Sequence, residues 1–158
     1  MQQSETKTEI RALTITSKAF RTNEAIPSRY TCEGDDINPP LDIKEIPKAS
    51  KSLALIVEDP DAPSGTWLHW LVWNIPVTHH IQENEVRGYQ GLNDLGRSCY
   101  GGPCPPSETH RYFFKVYALD DLLDLREGSD RKDVEDAMRG HIVAYGDLVG
   151  IYKRSPYH

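Results

Sequence analysis

Apolar positions along the 158 residues come in short runs separated by turn-forming residues. Residues 12–16, ALTIT, alternate at period two, and residues 41–46, LDIKEI, repeat that alternation after INPPL, whose paired prolines exclude a helix. Extended or turning chain is expected there, with a cis bond before Pro39 or Pro40 left open. Residues 52–57, SLALIV, and 67–75, WLHWLVWNI, are apolar on both parities. A strand covered on one face alternates, so these two are predicted to be central strands covered on both faces. Residues 111–119, RYFFKVYAL, make a third central strand, rich in the aromatic and β-branched side chains that suit a pleated surface.

Residues 88–110, GYQGLNDLGRSCYGGPCPPSETH, separate the second and third of these strands. So long a loop inside a compact domain is either functional or holds structure that periodicity does not reveal. One helix is predicted over residues 129–140: Ser129 or Asp130 caps it, Val134, Ala137 and Met138 form its apolar stripe, Glu135 and Arg139 pair, and Gly140 ends it. Residues 141–154 read as a closing strand pair or one long strand bent at Gly146. Many short strands and one helix predict a mainly β fold, a sandwich or barrel, as a single domain over residues 1–158 with residues 1–9 a flexible tail.

Composition narrows the function. A net charge of -6 argues against a general nucleic-acid binder, which needs a basic face for phosphates. No apolar run approaches the roughly 20 residues that span a bilayer, and the polar start MQQSETKTEI lacks the features of an export signal, so a cytoplasmic location is expected. Three cysteines, Cys32, Cys99 and Cys104, are an odd number, so a full disulfide framework is not expected and at least one thiol is free, with Cys99 and Cys104 read as ordinary thiols rather than metal ligands. The spacing of Cys99 and Cys104 does not match a zinc knuckle, and neither metal nor cofactor is expected.

The pattern breaks where charge enters it. SLALIV runs into EDPDAPSG, placing Asp59 and Asp61 two apart, on one face of an extended segment. They can cap backbone amides in a turn or line a site. His69 shares a strand face with Trp67, Leu71 and Trp73, as a hydrogen-bonded core histidine or as a ligand contact. His110 stands at the mouth of the third central strand, after a loop in which Gly101 and Gly102 permit close approach and Pro103, Pro105 and Pro106 stiffen the chain. Such a loop can offer a backbone N–H to an anion.

DPDAPSGTWLHWLVWNIP followed by YGGPCPPSETHRYFFKVYALD resembles the two signature regions of the phosphatidylethanolamine-binding protein family, and more closely its bacterial and archaeal Raf kinase inhibitor-like branch. The likeness extends from INPPL to DLVGIYKR. It implies a Greek-key β-sandwich of two antiparallel sheets with a small anion-binding pocket at one end. Carried over by position, the pocket's ligand-binding residues are Asp59, Asp61, His69, Gly102, Pro103, His110 and Tyr112. The short SET spacer before His110 and the absence of a helix after YKRSPYH depart from animal members, so their lid-dependent regulation is not transferred.

The expected function is therefore a non-enzymatic binding or regulatory protein for a small anionic or zwitterionic ligand, such as phosphate or a phosphoethanolamine-like headgroup. No activated nucleophile or Walker loop is evident, so no catalytic residue is assigned. The competing reading is a metal-dependent or acid-base hydrolase using the same aspartates and histidines. The resemblance also admits a protein partner such as a kinase, and apolar strand edges admit a homodimer.

Overall fold

The two runs that are apolar on both parities pair with each other in the middle of the larger of two sheets. The structure, a computed structural model, describes residues 9–156; residues 1–8, most of the expected tail, lie outside the described residues. Its strands are β1 (Arg11–Ala12), β2 (Thr14–Thr16), β3 (Leu41–Lys44), β4 (Ser52–Asp59), β5 (Trp67–Ile75), β6 (His80–Ile81), β7 (Tyr89–Gln90), β8 (His110–Leu119) and β9 (Ile142–Tyr152), with helix α1 (Arg131–Met138) between β8 and β9. The larger sheet runs β1-β9-β8-β4-β5-β7 and the smaller β2-β3-β6. The expected mainly β sandwich with one short helix is what forms. One pairing differs from a purely antiparallel plan, since β1 lies parallel to β9 at the sheet edge.

The sheet is covered on both sides by different material. Leu53, Leu55, Val57, Trp70, Val72, Phe114 and Val116 pack inward with Ile15, Leu41 and Ile43 of the smaller sheet. Ala54, Ile56, Leu71 and Trp73 pack outward with Val134 and Met138 of α1. All eight residues of β4 are buried, which is why its sequence carries no alternation. Among the described residues, no helix is long and apolar enough to cross a membrane.

Several local expectations are corrected. ALTIT is not one strand: the chain changes sheets at Leu13, so that β1 serves the larger sheet and β2 the smaller. β3 ends at Lys44, where Glu45 turns to a positive φ of 68°. All peptide bonds among the described residues are trans, including those before Pro39 and Pro40. The C-terminal run is one strand, β9, whose register with β8 is regular through Gly146. That glycine answers to packing, because a Cβ there would fall 2.2 Å from the Leu13 carbonyl oxygen.

Helix α1 is capped by Asp130, whose carboxylate accepts from the Asp133 N–H at 2.9 Å. Its ion pairs are not the expected Glu135–Arg139 but Arg131–Glu135 at 3.0 Å and Lys132–Asp136 at 2.9 Å, with Arg139 drawn to Asp136. Buried Glu58 of β4 ties the helix to the sheet through Arg131 and accepts from Lys115 at 2.9 Å. Burial alone would raise the Glu58 pKa; the two cations hold it below its ordinary value.

Candidate functional site

At one end of the sandwich the inner face of the large sheet turns from apolar to polar. Leu53, Leu55 and Val57 point inward from β4, and Asp59 is next in that alternation. Val116, Phe114 and Tyr112 point inward from β8, and His110 is next in theirs. By the same rule His69 of β5 would point outward, between Leu68 and Leu71 on the helix side. It does not. Val57 pairs with Trp70 while Glu58 pairs with Leu68, so His69 is the extra residue of a bulge. The bulge brings its ring inward, edge-on to Tyr112 with centroids 5.3 Å apart. This corrects the expected sharing of a face with Leu71 and Trp73, which belong to the outer cluster.

Asp59, His69, His110 and Tyr112 line one cavity of about 300 Å³, together with Trp67, Ser64, Gly102 and Cys104. His110 Nδ1 lies 2.6 Å from Asp59 Oδ2, and the other Asp59 oxygen accepts from the Asp61 N–H at 2.7 Å. His69 Nδ1 donates to the Gly101 carbonyl at 2.7 Å, which fixes its tautomer and leaves Nε2 as the acceptor of the neutral ring. Burial lowers the His69 pKa, and the Gly101 carbonyl and nearby carboxylates only partly oppose this. Tyr112 lies between the imidazoles, nearly parallel to that of His110 at 6.4 Å. Its hydroxyl is fully buried without a hydrogen bond of good geometry. Burial, followed by the adjacent Asp59 carboxylate, pushes its pKa far up, and the Cys104 backbone opposes them in part.

The 88–110 loop forms the opposite wall. It contains β7 and then follows β5 without regular pairing, fastened by Gly91 N–H to Leu71 O, Asp94 N–H to Leu68 O and Gly101 N–H to His69 O. Buried Asn93 organises its turn, accepting from Leu95 and Arg97 and donating to Cys99. The Gly-Pro stretch is anchored to residues 30–36 by four links. Tyr100 donates to Tyr30 O, Gly102 N–H to the Asp36 carboxylate at 2.8 Å and Cys32 N–H to Pro103 O, while Cys32 and Cys104 form a disulfide.

The disulfide corrects the reading of Cys104 as an ordinary thiol, and Cys99 is the free cysteine, in keeping with the expectation of at least one. It joins positions 72 apart, and a cross-link of that kind typically adds about 2–4 kcal/mol by restricting the unfolded chain. The amides of Gly101 and Gly102 are also not open to an anion, since both are used within the fold. Within 103–106 only Cys104 has an N–H, because its neighbours are prolines. Gly102 is nonetheless required: a Cβ there would sit 2.4 Å from the Tyr30 carbonyl oxygen.

Five of the seven residues named from the sequence, Asp59, His69, Gly102, His110 and Tyr112, therefore meet at the cavity. Asp61 stands at its rim, gripped by Arg111 through Nε and Nη2, each at 2.9 Å, and its pKa is lowered to about 2 chiefly by that bond. Pro103 supports the wall through its carbonyl. Sequence reasoning missed the lining residues Trp67 and Ser64 and the positioning residues Asp36 and Asn93. Trp67 was within the quoted signature, whereas nothing local distinguishes Asp36 from the acidic residues around it.

Comparison with known proteins agrees with this architecture. The profile of the family described as phosphatidylethanolamine-binding protein matches residues 16–153. A UPF0098 protein of Pyrococcus horikoshii is 51% identical over 149 residues, covering 87% of this chain and 75% of that protein. Another from Methanothermobacter thermautotrophicus is 47% identical over 150 residues, covering 90% and 99%. The crystal structure of a putative phosphatidylethanolamine-binding protein homologue from Chlamydia trachomatis superposes with a TM-score of 0.88 at 42% identity, covering 92% of this chain and 99% of that one. The crystal structure of Escherichia coli YbcL, a new member of the mammalian PEBP family, gives 0.83 at 29% identity, covering 90% and 99%. With the profile spanning nearly all of the described chain, this protein belongs to the phosphatidylethanolamine-binding protein family.

Proposed function

We propose that this chain is a non-enzymatic binding protein that holds a small anionic or zwitterionic ligand bearing a phosphoryl group, in the cavity formed by Asp59, His69, His110 and Tyr112. The observation that carries this reading is the Tyr112 hydroxyl, buried between two imidazoles without a good hydrogen-bond partner at the wall of a cavity of about 300 Å³. A buried hydroxyl left unpaired costs about 1–3 kcal/mol, which a ligand oxygen in the cavity relieves. The cavity holds a headgroup or a small phosphate ester rather than an acyl chain.

The site is poorly equipped for turnover. The His110–Asp59 pair resembles a base and its orienting carboxylate, but among the described residues no hydroxyl or thiol is hydrogen-bonded to either cavity histidine, and the Cys104 sulfur is in a disulfide. Nor do the four groups assemble as metal ligands: no cluster of three or more His, Cys, Asp or Glu side chains among the described residues is placed to hold an ion. Titration with phosphoethanolamine while following the ring resonances of His69 and His110 tests the reading. Both sets of resonances are expected to shift and saturate together; unmoved rings at millimolar ligand would refute it.

A further inference from the structure

The hydrogen-bonding inventory of the cavity wall is lopsided. Each Asp59 oxygen accepts one internal bond and keeps a further lone pair. His69 presents an Nε2 lone pair because its Nδ1 proton is committed to Gly101 O, and His110 is held through its Nδ1 by Asp59. The donors among the lining side chains are neutral: the hydroxyl of Tyr112, which lies beside Asp59 and the Cys104 backbone, the Ser64 hydroxyl and the Trp67 indole. The Gly102 amide is spent on Asp36, and Pro63, Pro105 and Pro106 have none. No lysine or arginine lines the cavity among the described residues.

The charges behind the wall lean the same way. Asp36 lies behind the Gly102 loop, Asp94 behind β5 where it accepts from the Leu68 N–H, and Asp61 at the rim; Asp59 is on the wall itself. Arg111, next to His110 in sequence, is turned outward against Asp61. A fully ionised dianion entering here meets lone pairs and carboxylates. An oxyanion with one proton left carries less charge and offers an O–H to those acceptors.

Resting on the phosphoryl reading above, we propose that the cavity selects oxyanions that still carry a proton, taking singly ionised phosphomonoesters in preference to sulfate esters of the same charge and shape. The physical basis is the cost of facing a buried acceptor with an oxygen that has nothing to donate. Sites built around a ligand O–H reject analogues without it far more strongly than apolar pockets reject a missing methylene.

Calorimetric titration of the full chain with methyl phosphate and methyl sulfate tests this. At about pH 5, below the second phosphomonoester pKa of about 6, both ligands carry a single negative charge and only the phosphate keeps a proton. Methyl phosphate is expected to bind at least about 100-fold more tightly there, and to lose affinity on raising the pH to about 8. Because the two ligands share charge and shape at the lower pH, the ratio of their affinities there isolates the ligand's own proton. Equal affinities at the lower pH, or methyl phosphate binding undiminished at the higher, would overturn the proposal while leaving the phosphoryl site standing. Failure of both ligands to bind at millimolar concentration would remove the phosphoryl reading itself.

Discussion

Two pairs of an acidic and a basic side chain join the end of β4 to the start of β8, and they differ in almost everything except sequence position. Asp59 meets His110 with side chains 4% and 8% exposed; Asp61 meets Arg111 with side chains 30% and 54% exposed. The acidic partners are separated by one proline and the basic partners are adjacent. Strand alternation sends His110 inward, stacked on Tyr112, and Arg111 outward over the Phe113 ring. One pair thereby becomes a wall of a cavity with little water to screen it, and the other a clamp on the cavity's rim. Nearly the same chemistry does different work because of the side of one strand on which it falls.

The sharpest break in the comparison comes from removing one partner of each pair. His110→Ala strands the Asp59 carboxylate in a buried site and is expected to cost about 3–5 kcal/mol in urea unfolding, with loss of ligand binding. A loss no larger than that of an exposed pair would erase the distinction. Burial also acts on His69 in a way that pH exposes. Its folded pKa is depressed, so its contribution to stability is full above the unfolded value of about 6.5 and is lost as pH falls through the lower folded value. Urea midpoints should therefore drop below about pH 6.5, and His69→Gln should flatten that acid limb.

The rim pair predicts smaller effects. Asp61→Asn is expected to cost no more than about 1 kcal/mol, and the cost should shrink in molar salt, as a double-mutant cycle with Arg111→Gln would measure. Because the Asp61 pKa is lowered to about 2, the pair's contribution is full above the ordinary carboxylate value of about 3.9 and disappears only as pH falls towards about 2. Smallest of all, Arg111→Gln alone should change ligand affinity by less than about threefold, since its charge is exposed and already engaged. A tenfold loss would place Arg111 within the site.

Much of the fold could be read locally because burial leaves a local mark. β4 and β5 lack alternation because the smaller sheet covers one face of the sheet and α1 and its neighbours the other. Asp130 caps α1 by a bond to an amide three residues away, a distance within reach of sequence inspection. The errors fall where a partner is remote. Glu135 and Arg139 satisfy the helical spacing, yet Glu135 pairs with Arg131, which also reaches Glu58 of β4, a residue 73 positions from it. Cys104 looks like an isolated thiol until residues 30–36 pass beside its loop. His69 looked to share a face with Leu71 and Trp73 because a bulge inserts one residue without any glycine or proline to announce it.

By itself the sequence determined a mainly β fold, its central strands and a concentration of Asp, His and Gly-Pro chemistry near their ends, because apolar periodicity and proline stiffness act over a few residues; the sandwich rather than a barrel was implied by the family resemblance. Only the tertiary structure decided that Asp59 faces the cavity while Asp61 faces Arg111, that the glycine amides serve the fold, and that burial lowers the His69 pKa while Gly101 holds its Nδ1. Those choices depend on strand register, on a bulge and on which backbone passes behind each side chain, and such contacts are set by chain segments tens of residues apart.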